Sequence, residues 1–214
     1  MDRRTLTIEE MQKGLAELDS AMGENEMIYA FSPITVISPG GFLAVSYLKS
    51  RETTEDIDII IDPQWTGDKD IIPALRSLFI AVGDKLELGE KWMNDDVSLF
   101  LTQSARQQLF DAAGEQNIVL YDGPNLKVLG APLEWGLESK LRRIDSKPHH
   151  PKVATDIQDI LVILKLLTDR NKGPLDRRRV RESNLNGFDI LPSEQTLNRV
   201  ADAYREKYGE EAFC

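Results

Sequence analysis

The sequence has few of the residues on which disulfide-rich and zinc-binding domains depend. Of its 214 residues only Cys214 is a cysteine, and only His149 and His150 are histidines. A single cysteine excludes an intrachain disulfide framework and is typical of a reducing compartment, so we expect a cytoplasmic, intracellular location. The two histidines lie between prolines in the polar stretch "KPHHPK", with no cysteine nearby, which favours exposed loop residues over metal ligands.

Long apolar runs are also absent. None approaches the roughly 20 residues that cross a bilayer, and the opening segment "MDRRTLTIEE" leads into no apolar stretch of a signal peptide. We therefore expect no membrane partner. The hydrophobic fraction of 41% is nevertheless high enough for the chain to bury a core.

Basic residues are outnumbered. Lysine and arginine together number 26 against 36 acidic residues, which gives a net charge of −10. This charge argues against electrostatic binding of nucleic acid by the protein surface as a whole. The clearest local exception is "DRRRVRE", residues 176–182. Its simplest interpretation is a solvated helix or loop face.

The order of predicted elements divides the chain into a mixed α/β half, residues 1–130, and a helical half, residues 131–214. Thr7 and Glu10 form a capping box at the start of the first helix. Strands are predicted at "ITVIS" (34–38), "DIDIIID" (56–62) and "VSLFL" (97–101), and a hairpin at "NIVLYDGPNLKVLGAP". Helical spacing of leucine and isoleucine then predicts helices in "PLEWGLESKLRRID", "KVATDIQDILVILKLLTDR" and "PSEQTLNRVADAYREKY". The predicted fold class is α/β, of the α+β kind, with a small mixed sheet and a helical C-terminal half.

The acidic strand is the most informative feature. Side chains alternate along a strand, so Asp56 and Asp58 share one face while the isoleucines between and after them point into the core. Two close carboxylates repel each other, and partial burial adds a desolvation cost. A divalent cation removes both problems, and Mg²⁺ prefers oxygen ligands that it shares with water and substrate phosphates. We therefore predict that the pair binds Mg²⁺ or Mn²⁺, the alternative being a solvated strand edge.

A glycine pair precedes this strand by one helix. Gly40 and Gly41 follow the strand "ITVIS", and glycines between a strand and a helix allow backbone N–H groups to approach a phosphate. A plain turn is the alternative. Arg51 and Thr54, in the polar loop before the acidic strand, are further candidates for contact with a phosphate or a base.

This segment resembles the nucleotidyltransferase superfamily, which has the polymerase-beta-like fold. The hallmark of that superfamily is a Gly-Gly or Gly-Ser turn, a helix and an Asp-x-Asp strand. "RETTEDIDII" is similar to the version in the AbiEii-type and related uncharacterised branches. Those branches continue with a hairpin, a helix that carries a lysine and a helix that carries aspartates. "LKVLGAPLEWGLESKL" and "KVATDIQDI" match this continuation, with Lys140 and either Asp156 or Asp159 at the corresponding positions.

The resemblance implies metal-dependent transfer of a nucleotidyl group from a nucleoside triphosphate to an acceptor. The acceptor would be a protein hydroxyl, a small molecule or an RNA end such as that of a tRNA, which the arginines of residues 177–181 would hold. The residues implied are Asp56 and Asp58 as metal ligands and catalytic groups, Lys140 as a catalytic positive charge, and Gly40, Gly41, Arg51, Thr54 and Asp156 as nucleotide contacts.

Several alternatives remain open from the residues alone. Lys140 also fits a surface lysine, and Asp156 also fits an ordinary ion pair with Lys152. Many members of the superfamily carry a third carboxylate, for which Asp96 and Asp122 are the candidates. If neither serves, the alternative function is a degenerate member that binds a nucleotide or a protein partner without turnover. The sequence does not specify an oligomeric state.

Overall fold

The structure, a computed structural model of the chain, describes residues 4–187 and 190–214. It combines helices with small mixed sheets, as the mixed α/β prediction requires. The chain divides into two compact units, Met1–Ala131 and Pro132–Cys214, which we call the α/β unit and the helical unit. No helix among the described residues combines the length and apolar character needed to cross a membrane.

The α/β unit contains five α-helices and eight short strands among its described residues. The helices are α1 (Ile8–Glu24), α2 (Glu26–Tyr29), α3 (Gly40–Leu43, continued by a π-helical turn at Ala44–Leu48), α4 (Ile71–Lys85) and α5 (Gln103–Gln116). The strands are β1 (Leu6–Thr7), β2 (Ile34–Ser38), β3 (Thr53–Thr54), β4 (Ile57–Asp58), β5 (Ile60–Ile61), β6 (Met93–Asn94), β7 (Val119–Asp122) and β8 (Leu126–Gly130). Two 3₁₀ turns, Pro63–Trp65 and Asp96–Phe100, complete the unit.

The main sheet has four strands in the order β5-β2-β8-β7. Strand β2 runs antiparallel to β5 and parallel to β8, with Val36 opposite both Ile61 and Val128. Strands β7 and β8 form the predicted hairpin. Two smaller ladders pair β1 with β3 antiparallel and β4 with β6 parallel. The prediction of a strand at residues 34–38 is confirmed, and this strand is the one that leads into the glycine turn.

The first helix forms as predicted. The Thr7 hydroxyl accepts a hydrogen bond from the Glu10 N–H at 3.3 Å, and the Glu10 carboxylate accepts one from the Thr7 N–H at 2.9 Å. This capping box satisfies N–H groups that a helix start would otherwise leave without partners. The apolar face that follows is fully buried in the core of the α/β unit and consists of Met11, Leu15, Leu18 and Met22.

Two strand predictions need correction. The strand predicted at residues 56–62 is divided, because the backbone changes partner: Ile57 and Ile59 donate to residues of the β6 segment, whereas Ile60 and Ile61 pair with β2. The segment predicted as the strand "VSLFL" is the 3₁₀ turn Asp96–Phe100. The Asn94 side chain accepts a hydrogen bond from the Asp96 N–H at 3.1 Å, a local contact that favours a turn over an extended chain.

The helical unit contains four helices among its described residues: α6 (Leu133–Ser146), α7 (Val153–Asn171), α8 (Arg177–Glu182) and α9 (Glu194–Tyr208). The apolar stripe that helical spacing predicts on α6 is buried in full and consists of Leu133, Leu137, Leu141 and Ile144. On α7 the helical spacing places five apolar residues on one stripe, of which Ile157 is half-buried and the others, Ile160, Leu161, Leu164 and Leu167, are buried. The carboxylates of Asp156 and Asp159 also face the interior. The ion pair between Lys140 on α6 and Asp159 on α7 accounts for this orientation.

Candidate active site

The glycine turn lies directly against the second carboxylate of the acidic strand. Strand β2 ends at Ser38, and Pro39 is extended. Gly40 begins α3 with a φ of +69°, a left-handed backbone conformation that residues other than glycine rarely adopt. A Cβ atom on Gly40 would lie 3.4 Å from Oδ2 of Asp58. The structure therefore brings Gly40 and Asp58 together, as the order of motifs along the chain predicts.

Gly41 is required for a different reason, because the turn packs on Thr54. A Cβ atom on Gly41 would lie 1.9 Å from the Thr54 Oγ1 atom and 2.7 Å from the Thr54 Cβ atom, so no side chain fits between them. Thr54 is itself buried and belongs to the short strand β3. This threonine therefore packs against the backbone of Gly41 and supports the glycine turn, a role that the sequence did not indicate. Arg51, just before β3, is half-buried.

Burial alternates along the acidic strand. Asp56 and Asp58 are half-buried, whereas Ile57 and Ile59 are fully buried. This alternation is what two carboxylates on one face of an extended chain produce. The buried Ser38 hydroxyl donates to the Asp58 backbone carbonyl at 2.7 Å, which fixes the strand against the end of β2.

Asn94 is a residue of the site that sequence reasoning missed. It pairs with Asp58 in the parallel β4–β6 ladder, and its Nδ2 donates to Asp56 Oδ2 at 3.4 Å and to the Lys91 carbonyl at 3.3 Å. Asn94 therefore contacts Asp56 through its side chain and Asp58 through the backbone ladder. A two-residue strand has no periodicity that would have revealed this position in the sequence.

The segment that carries Asn94 is anchored by Trp92. The indole N–H of Trp92 donates to the Phe79 carbonyl at 2.8 Å, and the Trp92 carbonyl accepts from the Ile57 N–H at 2.7 Å. The ring is fully buried, and a Cβ atom on Gly14 or on Gly83 would lie within 2.7 Å of it. Trp92 is therefore a core residue whose backbone carbonyl fixes the position of the acidic strand through Ile57.

A basic side chain also lies close to the pair. The Lys91 ammonium donates to Asp96 Oδ2 at 2.9 Å, and this hydrogen bond raises the pKa of Lys91, with a smaller contribution from the negative charge of Asp56. The α/β unit thus holds a positive group near its acidic strand. The basic residues that the sequence predicted for contact with a phosphate were Lys140 and Arg51.

Neither candidate for a third carboxylate forms a metal-binding cluster with the pair. Asp96 forms an ion pair with Lys91. Asp122 belongs to β7, where it lies opposite Lys127 of β8, and β7 is the edge strand at the other side of the sheet from β5. Across residues 4–187 and 190–214, no three histidine, cysteine or acidic side chains are grouped so that they could hold a metal ion. The donor set is therefore two carboxylates, a number with which Mg²⁺ binds when water and phosphate oxygens complete its shell.

Lys140 and Asp156 lie in the helical unit, within a buried ionic network. The Lys140 side chain is only 4% exposed, so the surface-lysine alternative is wrong; its ammonium lies 2.7 Å from Asp159 Oδ2 and 3.5 Å from Asp156 Oδ1. Arg143 also donates to Asp156, through Nε at 2.6 Å. The network joins α6 to α7, and the phosphate-binding role of Lys140 stays a prediction.

Comparisons with known proteins add no family to this geometry. No family model matches the chain, and neither the curated proteins nor the solved structures contain a match. The residues themselves provide a glycine turn, a threonine that supports it, and an acidic strand whose Asp58 backbone is bonded to Ser38 and whose Asp56 carboxylate is bonded to Asn94.

Proposed function

We propose that the α/β unit binds a nucleoside triphosphate together with Mg²⁺ or Mn²⁺, and that the protein is a nucleotidyltransferase of the polymerase-beta-like fold. The observation that carries this proposal is the contact between the glycine turn and the acidic strand, where a Cβ atom on Gly40 would lie 3.4 Å from Asp58 Oδ2. A phosphate seated on the turn would then be next to a carboxylate. That arrangement is stable only when a cation lies between the two negative groups.

The residues present fit such a cation. Asp56 and Asp58 would hold it, since both are half-buried carboxylates of the acidic strand, Asp58 lies beside the turn, and hard oxygen ligands suit Mg²⁺. The bound ion supplies Lewis-acid stabilisation of the charge that develops on the phosphate oxygens during in-line displacement.

The other residues position the phosphate and the backbone of the site. The first N–H groups of a helix have no intrahelical partner, so those of Gly40 and Gly41 are suited to a phosphate oxygen. Thr54 keeps Gly41 in place, and Ser38 holds the backbone of Asp58. The acceptor hydroxyl would belong to a protein, a small molecule or an RNA end. Lys140 and Asp156 stay predicted contributors from the helical unit.

A second function is favoured by one specific observation. The described residues contain no cluster of three acidic or imidazole side chains, and some nucleotidyl transfer depends on a third carboxylate to activate the nucleophile. A protein with this site would bind the metal-bound nucleotide without transferring it, and would act as a nucleotide-dependent interaction module.

One experiment separates the two functions. The protein is incubated with Mg²⁺ and each α-³²P-labelled nucleoside triphosphate, with total tRNA, a protein extract or aminoglycosides as acceptor, and released pyrophosphate and transferred label are both measured. An enzyme releases pyrophosphate and labels one acceptor, and Asp58→Asn abolishes both. A binding module shows nucleotide-dependent thermal stabilisation without pyrophosphate. A protein that shows neither stabilisation nor pyrophosphate contradicts both functions.

A further inference from the structure

The helical unit contains a cavity that the proposed function does not use. Its volume is about 620 Å³, and all of its lining residues belong to residues 132–214. Volumes of this size and a mostly apolar lining are typical of sites for small organic ligands. The apolar wall is formed by Leu137, Leu167, Leu175, Val180 and Leu185.

The acidic side chains in the lining already have partners. The buried Glu138 carboxylate accepts from the Ser183 hydroxyl at 2.6 Å and from the Leu185 N–H at 2.8 Å, and it pairs with Arg142 at 2.7 Å. Glu134 pairs with Arg170 at 3.2 Å. The Asp176 carboxylate caps α8 by accepting from the Arg179 N–H at 2.8 Å. These contacts offset much of the negative charge around the cavity.

Arg179 differs from its neighbours in the cluster "DRRRVRE". Within the described residues Arg177 pairs with Glu194 at 2.8 Å, Arg178 with Glu182 at 2.9 Å, and Arg181 with Glu194 at 3.3 Å. The guanidinium of Arg179, which lines the cavity, makes no ion pair or hydrogen bond with another described residue. Arg170, which also lines the cavity, is paired with Glu134, so among the described lining residues the exposed guanidinium of Arg179 is the cation that a ligand can pair with.

We propose that this cavity binds a small organic anion with an apolar body, whose carboxylate or phosphate group pairs with Arg179. The apolar body lies against the leucines, where burial of its surface supplies most of the binding free energy. The guanidinium supplies charge-assisted hydrogen bonds to the anionic group and fixes the orientation of the ligand. This cavity shares no lining residue with the proposed metal and nucleotide site, so binding of the anion is tested separately from the proposed function.

The test uses the whole protein and two fluorescent probes of similar size. The anionic probe is 8-anilinonaphthalene-1-sulfonate, and the neutral probe is N-phenyl-1-naphthylamine. Arg179→Gln should weaken the anionic probe about tenfold and leave the neutral probe unchanged, because only the charge-assisted contact is lost. The matched control is Arg178→Gln, which removes the same charge outside the cavity lining and should leave both affinities within about twofold.

Two further arms locate the probe and identify the anion. Val180→Trp fills the cavity and should abolish binding of both probes, and if that variant does not fold, the two arginine variants decide alone. Decanoate and decyl phosphate are then used as competitors, and displacement of the anionic probe by either one supports the site. The proposal is overturned if the parent binds neither probe, if the two arginine variants behave alike, if folded Val180→Trp binds normally, or if neither competitor displaces the probe.

Discussion

Replacing Gly41 by alanine places a methyl group where Thr54 already lies. The new Cβ atom would be 1.9 Å from Thr54 Oγ1, so one of the two residues must retreat by about 1 Å or more to restore an ordinary contact. Thr54 is buried and paired with Leu6 in the β1–β3 ladder, so it cannot move without disturbing that pairing. We expect a cost of about 2–3 kcal/mol in the free energy of unfolding, the upper part of the range of about 1–3 kcal/mol that is typical of overpacked interiors.

The structure also predicts how the cost is shared. Thr54→Ala removes the atoms at 1.9 and 3.2 Å and leaves the Thr54 Cβ atom at 2.7 Å, so it should relieve the clash only in part. In a double-mutant cycle the two changes should therefore couple by about 1 kcal/mol or more, in the sense that the double variant is more stable than the sum of the single variants.

Thermal and urea unfolding of the four proteins measures both quantities. Gly41→Ala alone should lower the melting temperature by about 5–10 °C in a chain of this length. The control is Gly114→Ala, which introduces the same methyl group inside α5 with nothing within 4 Å and should be neutral or stabilising. A Gly41→Ala variant as stable as the parent, or strictly additive effects with Thr54→Ala, would show that the turn does not pack on Thr54.

Three further substitutions test the buried ion pair of Lys140, the place of Asn94 in the site and the hydrogen bonds of Asp145. Lys140→Met leaves the Asp159 carboxylate buried without its closest cation and should cost about 3–5 kcal/mol in urea unfolding, most of which Asp159→Leu should restore. Asn94→Asp adds a carboxylate next to Asp56 and should raise the affinity for Mn²⁺, measured by calorimetry, about tenfold. The control Asn25→Asp keeps the cap of α2 and should leave that affinity unchanged. Equal affinities in the parent and both variants would exclude Asn94 from the site. Burial raises the pKa of Asp145, but hydrogen bonds from the start of α9 outweigh it and leave that pKa below its ordinary value, so its stabilising contribution is present above the ordinary pKa and is lost as the pH falls through the folded value. Asp145→Asn should therefore reduce stability at pH 7, and its effect should fall away as the pH is lowered through the folded pKa of Asp145; a loss that is independent of pH would refute this reasoning.

The parts of the fold that the sequence predicted are those that local chemistry determines. The capping box of Thr7 and Glu10, the buried stripe of α6 and the Asp-Gly-Pro-Asn turn of the hairpin each depend on residues a few positions apart. The approach of Gly40 to Asp58 was predictable for a related reason, since a strand, a short helix and an antiparallel strand bring the first turn back to the second strand.

What the sequence did not show depends on partners distant along the chain. The division of the acidic strand follows from the pairing of β4 with β6, about 36 residues away in the chain, and two-residue strands carry no pattern of their own. The same pairing brings Asn94 to Asp56. Asp159 was not predicted in the core because acidic residues are rarely buried without a partner, and its partner, Lys140, lies on another helix.

We propose that Asp56 and Asp58 bind a cation together with a triphosphate at the glycine turn. The most direct measurement is the melting temperature of the parent and of Asp58→Asn with Mg²⁺ alone, with each nucleoside triphosphate alone and with both. For the parent, one triphosphate with Mg²⁺ at about 100 times its dissociation constant should raise the melting temperature by about 5 °C or more beyond either component. Asp62→Asn, which removes the same charge but keeps an oxygen to cap the next turn, should match the parent, whereas Asp58→Asn should lose the combined shift. An equal combined shift in all three proteins, or no shift in the parent, would contradict the claim.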